Sequence, residues 1–117
     1  MNVKEFYAAI GGNYEKALQT LMNEAFVLKM LKKFAAGDYY DELKKAREDE
    51  DITHTFAITH TLKGVAGNLC LTPVFEKASA ICETTRNKKD GVDVSKEMDG
   101  LIETTLSVIK KIEETNL

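Results

Sequence analysis

From Ile52 to Phe75 the chain carries one fixed charge, Lys63, although 30% of its 117 residues are charged. A surface helix needs a polar face, so a stretch this poor in charge has to be covered by neighbours over most of its circumference. At about 100° per residue, Thr55, Ile58, Thr59, Leu62, Val65, Ala66 and Leu69 align as one buried stripe. The segment from about 52 to 69 is therefore expected to be the central helix of a bundle. Its other side carries His60, Lys63, Gly64 and Gly67, which share one face because they lie three, four and seven residues apart. Each glycine inside a helix costs roughly 1 kcal/mol relative to alanine. Two of them beside one histidine imply that something must come very close to the imidazole.

Periodicity places the remaining elements. Val3 to Ile10 forms a short helix that Gly11-Gly12 ends. Asn13 is expected to cap a second short helix carrying Leu18, Leu21 and Met22. A third helix, from about Asn23 to Ala36, has the stripe Phe26, Val27, Met30, Leu31 and Phe34. Asp38 is expected to cap a fourth through Tyr39, Tyr40, Leu43 and Arg47, and the charged run Arg47 to Asp51 to break it. After the central helix, Thr72-Pro73 reads as a cap followed by a first-turn proline. The inner stripe there is Phe75, Ala78, Ile81, Cys82 and Thr85. A polar turn follows from Asn87 to Gly91. The last helix begins near Asp93 or Ser95, with Val94, Met98, Leu101, Ile102, Thr105, Val108, Ile109 and Ile112 inward and Lys110 and Lys111 in its C-terminal part.

No segment alternates like a strand, and the chain has one proline. The expected fold is all-α: an antiparallel, up-down four-helix bundle with additional short N-terminal helices. Residues 1–117 are read as one domain, with short helices over 1–22 and the bundle over 23–117.

Composition narrows the function. A net charge of −3 with no strongly basic face disfavours nucleic acid as a partner. No run approaches a membrane span, and Met1 to Glu5 lacks the apolar stretch of a secretion signal, so a cytoplasmic location is expected. Cys70 and Cys82 are too few for a disulfide framework; Cys82 is expected to be buried and Cys70, at a helix end, more exposed. No metal site is expected, since His54 and His60 point about 240° apart on one helix. His54, followed at the third and fourth positions by Ala57 and Ile58, has neither the lysine nor the glycine of His60. It reads as an ordinary histidine.

The stretch His60-Thr61-Leu62-Lys63-Gly64-Val65-Ala66-Gly67-Asn68-Leu69 resembles the signature of histidine-containing phosphotransfer (HPt) domains. In that pattern a phosphorylatable histidine is followed by a small residue, leucine, lysine, glycine, small residues and often asparagine-leucine-glycine. Cys70 stands where that last glycine often falls, and Val65 where serine or alanine is usual. The resemblance implies a phosphorelay intermediate: His60 accepts a phosphoryl group from an aspartyl phosphate on one receiver domain and passes it to an aspartate on another. It implies a carrier, not an enzyme, without ATP binding, with magnesium supplied by the receiver. The expected partners are response-regulator receiver domains, including those of hybrid histidine kinases, and the expected state is a monomer. Lys63 would neutralise the phosphoryl oxygens. Gly64 and Gly67 would admit the partner, the alternative being close helix packing. Phe56, one turn before His60, would serve partner docking or pack against an N-terminal helix. Lys32 and Lys33 read as solvated charges. The rival readings are a phosphorylation-silent adaptor that binds a receiver and, further off, a metal-binding bundle.

Overall fold

Asparagine and aspartate side chains set where four of the helices begin. Asn2, Asn13, Asn23 and Asp51 each accept a hydrogen bond from the backbone N–H three residues on, at 2.8, 3.0, 2.8 and 3.1 Å. These bonds satisfy amides that a helix start otherwise leaves unpaired. At Asn2 the Glu5 carboxylate also accepts from the Asn2 N–H, completing a capping box. The computed structural model describes residues 1–88 and 90–117; Lys89, within the expected polar turn, lies outside the described residues. Among the described residues the helices are α1 (Val3–Ile10), α2 (Tyr14–Leu21), α3 (Glu24–Ala36), α4 (Tyr39–Asp49), α5 (Ile52–Asn68), α6 (Thr72–Thr85) and α7 (Ser95–Glu113), with no strand. None of these helices is long and apolar enough to cross a membrane.

The fold is an all-α bundle. Helix α5 packs against α4 on one side and α6 on the other, and α7 closes the ring against both. The fourth wall is built from two helices in succession. Arg47 of α4 donates to Asp99 near the start of α7 at 2.9 Å, while the Lys32 ammonium in α3 donates to the Ile112 carbonyl near its end at 2.6 Å. Helices α3 and α4 thus run antiparallel along α7, one after the other. Lys32, read as a solvated charge, is exposed and also satisfies a carbonyl in the last turn of α7, where a cation suits the helix dipole.

The core is one contiguous cluster running from Val3, Phe6 and Tyr7 through Leu31, Leu43, Leu62, Leu71 and Ile81 to Leu101 and Ile112. The α1–α2 turn braces the exit of α5. The Tyr7 hydroxyl donates to the Leu69 carbonyl at 2.6 Å and the Asn13 N–H to the Cys70 carbonyl at 3.2 Å. A Cβ on Gly12 would lie 2.8 Å from that Cys70 oxygen, so only glycine fits there.

Several local expectations need correction. Thr72 does not cap α6: the helix begins at Thr72, after Leu71, and no side chain caps it. Full burial of Leu71 sets this entry instead. Asp38 precedes α4 as expected but makes no capping bond, because its ψ of 13° is far from the extended conformation that aims a cap at the helix amides. Helix α4 continues through Arg47 and Glu48 to Asp49, and Glu50 ends it in the left-handed conformation. Cys70 is buried at 6% exposure, with φ +56°. The chain leaves α5 in the left-handed conformation that glycine adopts most easily, and α1–α2 cover the thiol's surroundings. Met22 lies beyond α2 with 82% of its surface exposed, and Phe26 on α3 is 40% exposed.

Candidate functional site

Helix α5 buries Thr55, Ile58, Thr59, Leu62 and Ala66, which turns the opposite face outward. Val65, expected in the same stripe, is half-buried at its edge. The Thr59 hydroxyl donates to the Thr55 carbonyl at 2.7 Å, so this buried polar group is satisfied within the helix immediately before His60. On the outer face His60, Thr61, Gly64 and Asn68 are exposed, while Phe56, Lys63 and Gly67 are half-buried toward α6. The imidazole is therefore presented to solvent from a rigid element, with its neighbours graded from open backbone on one side to packed side chains on the other.

The two glycines differ. A Cβ added to Gly64 would meet nothing within 4 Å. No packing inside the chain uses the missing side chain there. A Cβ on Gly67 would lie 3.3 Å from Cδ1 and Cε1 of Phe75. Bare backbone at Gly67 already has an occupant, the Phe75 ring, which is the close-packing alternative. That position also explains why Phe75, expected to point inward, remains 37% exposed: it lies over the α5 surface, and Val74 fills the core.

Phe56 stacks on the imidazole itself, with ring centroids 5.7 Å apart and planes at 30°. Its ring thus packs with His60 and the end of α6. Over the Phe56 ring, 5.4 Å from its centroid, sits the guanidinium of Arg86 at the end of α6. Sequence reasoning did not single out Arg86. It lies 26 positions beyond His60, with no periodic relation to it. The signal was the antiparallel α5–α6 hairpin, which pairs Gly67 with Phe75 near its turn and Phe56 with Arg86 at its open end.

His54 lies apart from this face. Its Nε2 is 2.8 Å from a Glu42 carboxylate oxygen, a bond that ties α5 to α4. Among the described residues no three histidine, cysteine, aspartate or glutamate side chains gather as a metal site. Burial pushes the Tyr7 phenol well above its usual range and the Cys70 thiol upward as well. Both lie at the α5 exit, which the Tyr7 hydroxyl braces, away from the imidazole face.

The arrangement offers an accessible nucleophile, a lysine one turn along, open backbone at Gly64 and a flat apolar neighbour. That set suits transfer of a group carrying spread negative charge from a partner that brings its own catalytic groups. The family model described as Hpt domain matches residues 29–110, which takes in most of α3, all of α4 to α6 and most of α7. No curated protein and no solved structure gave a significant match.

Proposed function

The chain belongs to the Hpt domain family, and on that premise we propose that it carries a phosphoryl group on His60 between receiver-domain aspartates in a two-component phosphorelay. Domains of this family are phosphocarriers in two-component signalling, not enzymes. The observation that carries the assignment to His60 is an exposed imidazole on α5 whose neighbour Gly64 has open space where a side chain would stand.

A lone pair on one nitrogen of the neutral imidazole attacks phosphorus as the bond to the donor aspartate oxygen breaks. The aspartate leaves as a carboxylate, and the other ring nitrogen keeps its proton. The resulting phosphoimidazolium is a good leaving group for the return step. Lys63 supplies a mobile ammonium to the equatorial oxygens. Gly64 admits the receiver's loops for in-line approach. Gly67 contributes by seating Phe75 beside the site, and Phe56 by flanking the ring. The receiver brings magnesium; this chain acts as a single cytoplasmic, monomeric domain over residues 1–117.

The test is to incubate the protein with a phosphorylated receiver and look for acid-labile, base-stable label. Label on wild type that is lost in His60→Gln, with helicity retained, supports the reading. Receiver binding without label would leave only an adaptor and overturn the carrier role.

A further inference from the structure

We propose that a cavity at the end of the bundle away from the α5–α6 turn binds a small organic amine, an ammonium group on a short apolar stem. The cavity measures about 360 Å³ and lies where the end of α4, the first turn of α5, the α6–α7 connection and the start of α7 meet. That volume falls within the range of small-molecule sites. None of the lining residues belongs to the imidazole face, so the proposal stands apart from the carrier reading.

Three features of the lining select the ligand. The mouth is acidic. Exposed Glu50, Asp90 and Asp93 contribute carboxylates, and among the described residues none of them forms an ion pair. Arg47, which also lines the cavity, donates to Asp99, so four carboxylates surround one guanidinium and the excess charge is negative. The Ser95 hydroxyl and N–H both donate to one Asp93 oxygen, at 2.6 and 3.0 Å, which holds that carboxyl below its usual range and keeps it ionised. Behind the mouth the walls are apolar, with Ala46 and Met98 buried and Ile52 and Val92 half-buried. The third feature is the Thr55 hydroxyl. Thr59, Thr85 and Thr115 each donate to the carbonyl four residues back. Thr55, only 3% exposed, has no hydrogen-bond partner for its Oγ1 among the described residues. Nor is that oxygen sealed in as the Ser79 and Thr105 hydroxyls are; its outlet is the cavity it lines. A hydroxyl drawn from the core and left unpaired at an acidic cavity is an acceptor awaiting a donor. A bare metal ion suits the lining less well, because among the described residues no three acidic, histidine or cysteine side chains converge to ligate one. An alkylammonium needs no such convergence: its three N–H donors reach separate acceptors, and its methylenes cover the apolar walls.

The test titrates the full chain with n-pentylamine hydrochloride and follows the backbone amide resonances, with n-pentanol, sodium pentanoate and calcium chloride as comparisons. Pentylamine is expected to give saturable shifts concentrated in residues 46–55 and 90–98, which line the cavity, and to raise the melting temperature. Pentanol, which lacks the charge, should bind about tenfold more weakly, and pentanoate should not bind. Glu50→Gln and Asp90→Asn should each weaken pentylamine about threefold, as suits exposed carboxylates. Thr55→Val should weaken it about fivefold, while Thr55→Ser, which keeps the hydroxyl, should stay close to wild type. A lysine side chain on a partner protein offers the same ammonium, so Nα-acetyl-lysine amide is titrated as well; tighter binding of that derivative than of pentylamine overturns the assignment to a small amine. Pentanol binding as tightly as pentylamine, or saturable calcium shifts at the same residues, overturns it too. So do shifts spread evenly over the acidic surface, or wild-type affinity in a folded Thr55→Val. Should Thr55→Val fail to fold, the two exposed carboxylate variants decide: wild-type affinity in both removes the site.

Discussion

Alanine at Gly64 and alanine at Gly67 should have different consequences, although the two glycines lie on one face of one helix. In both cases alanine gains about 1 kcal/mol of helix propensity over glycine, chiefly by restricting the unfolded chain. At Gly64 nothing opposes that gain, since the new Cβ meets no atom within 4 Å. Gly64→Ala is therefore expected to be about 1 kcal/mol more stable than wild type, a rise in melting temperature of about 4 °C for a chain of this size. At Gly67 the Cβ would sit 3.3 Å from two carbons of Phe75, which must shift outward by a few tenths of an ångström. Overpacking costs about 1–3 kcal/mol in a closed core, and the half-exposed ring keeps the penalty at the low end. The two terms at Gly67 nearly cancel, so Gly67→Ala should be close to neutral. Thermal unfolding followed by circular dichroism resolves the difference. Transfer supplies the second axis: Gly64→Gln should remain folded and lose transfer from a phosphorylated receiver, because its side chain fills the approach to the ring. A Gly64→Ala protein less stable than wild type would show that the glycine serves the fold. Wild-type transfer by Gly64→Gln would remove the close-approach argument.

Three other perturbations probe separate parts of the molecule. Lys63→Ala should slow transfer more than it weakens receiver binding; equal losses in kinetic and binding assays would mean that the lysine only anchors the partner. Tyr7→Phe removes the 2.6 Å bond to the Leu69 carbonyl and should cost about 1–3 kcal/mol, read by denaturant unfolding, because a buried acceptor is left unpaired. The raised phenol pKa of Tyr7 means that the unfolded state loses this proton first. Its contribution is accordingly full below about pH 10 and erodes above it, and the wild-type alkaline decline should be shallower in Tyr7→Phe. Thr105→Val should stabilise by about 1 kcal/mol, since the Thr105 hydroxyl is buried without a hydrogen-bond partner among the described residues; a comparable loss in melting experiments would refute that.

The sequence by itself determined the class of fold, the central helix and the candidate nucleophile. Each of these rests on spacing along one chain: the run from Ile52 to Phe75 with Lys63 as its one fixed charge, the stripe from Thr55 to Leu69, and the intervals separating His60, Lys63, Gly64 and Gly67. Helical periodicity converts such intervals directly into faces, so Thr59 and Leu62 point inward and His60 outward. The Asn13 cap was equally legible, with extended backbone flanking it, whereas Asp38, where the backbone is not extended, makes no capping bond. What only the tertiary structure decided is everything that depends on which helix faces which. The antiparallel register of α5 and α6 gives Gly67 to Phe75 and lays Arg86 over Phe56. The passage of α3 and then α4 along α7 brings the exposed Lys32 onto the Ile112 carbonyl. The fold of α1–α2 over the α5 exit buries Cys70 in a backbone conformation that a residue count could not foresee. Periodicity reports the direction of a side chain relative to its own helix axis; it carries no information about the side chain that another helix brings to meet it.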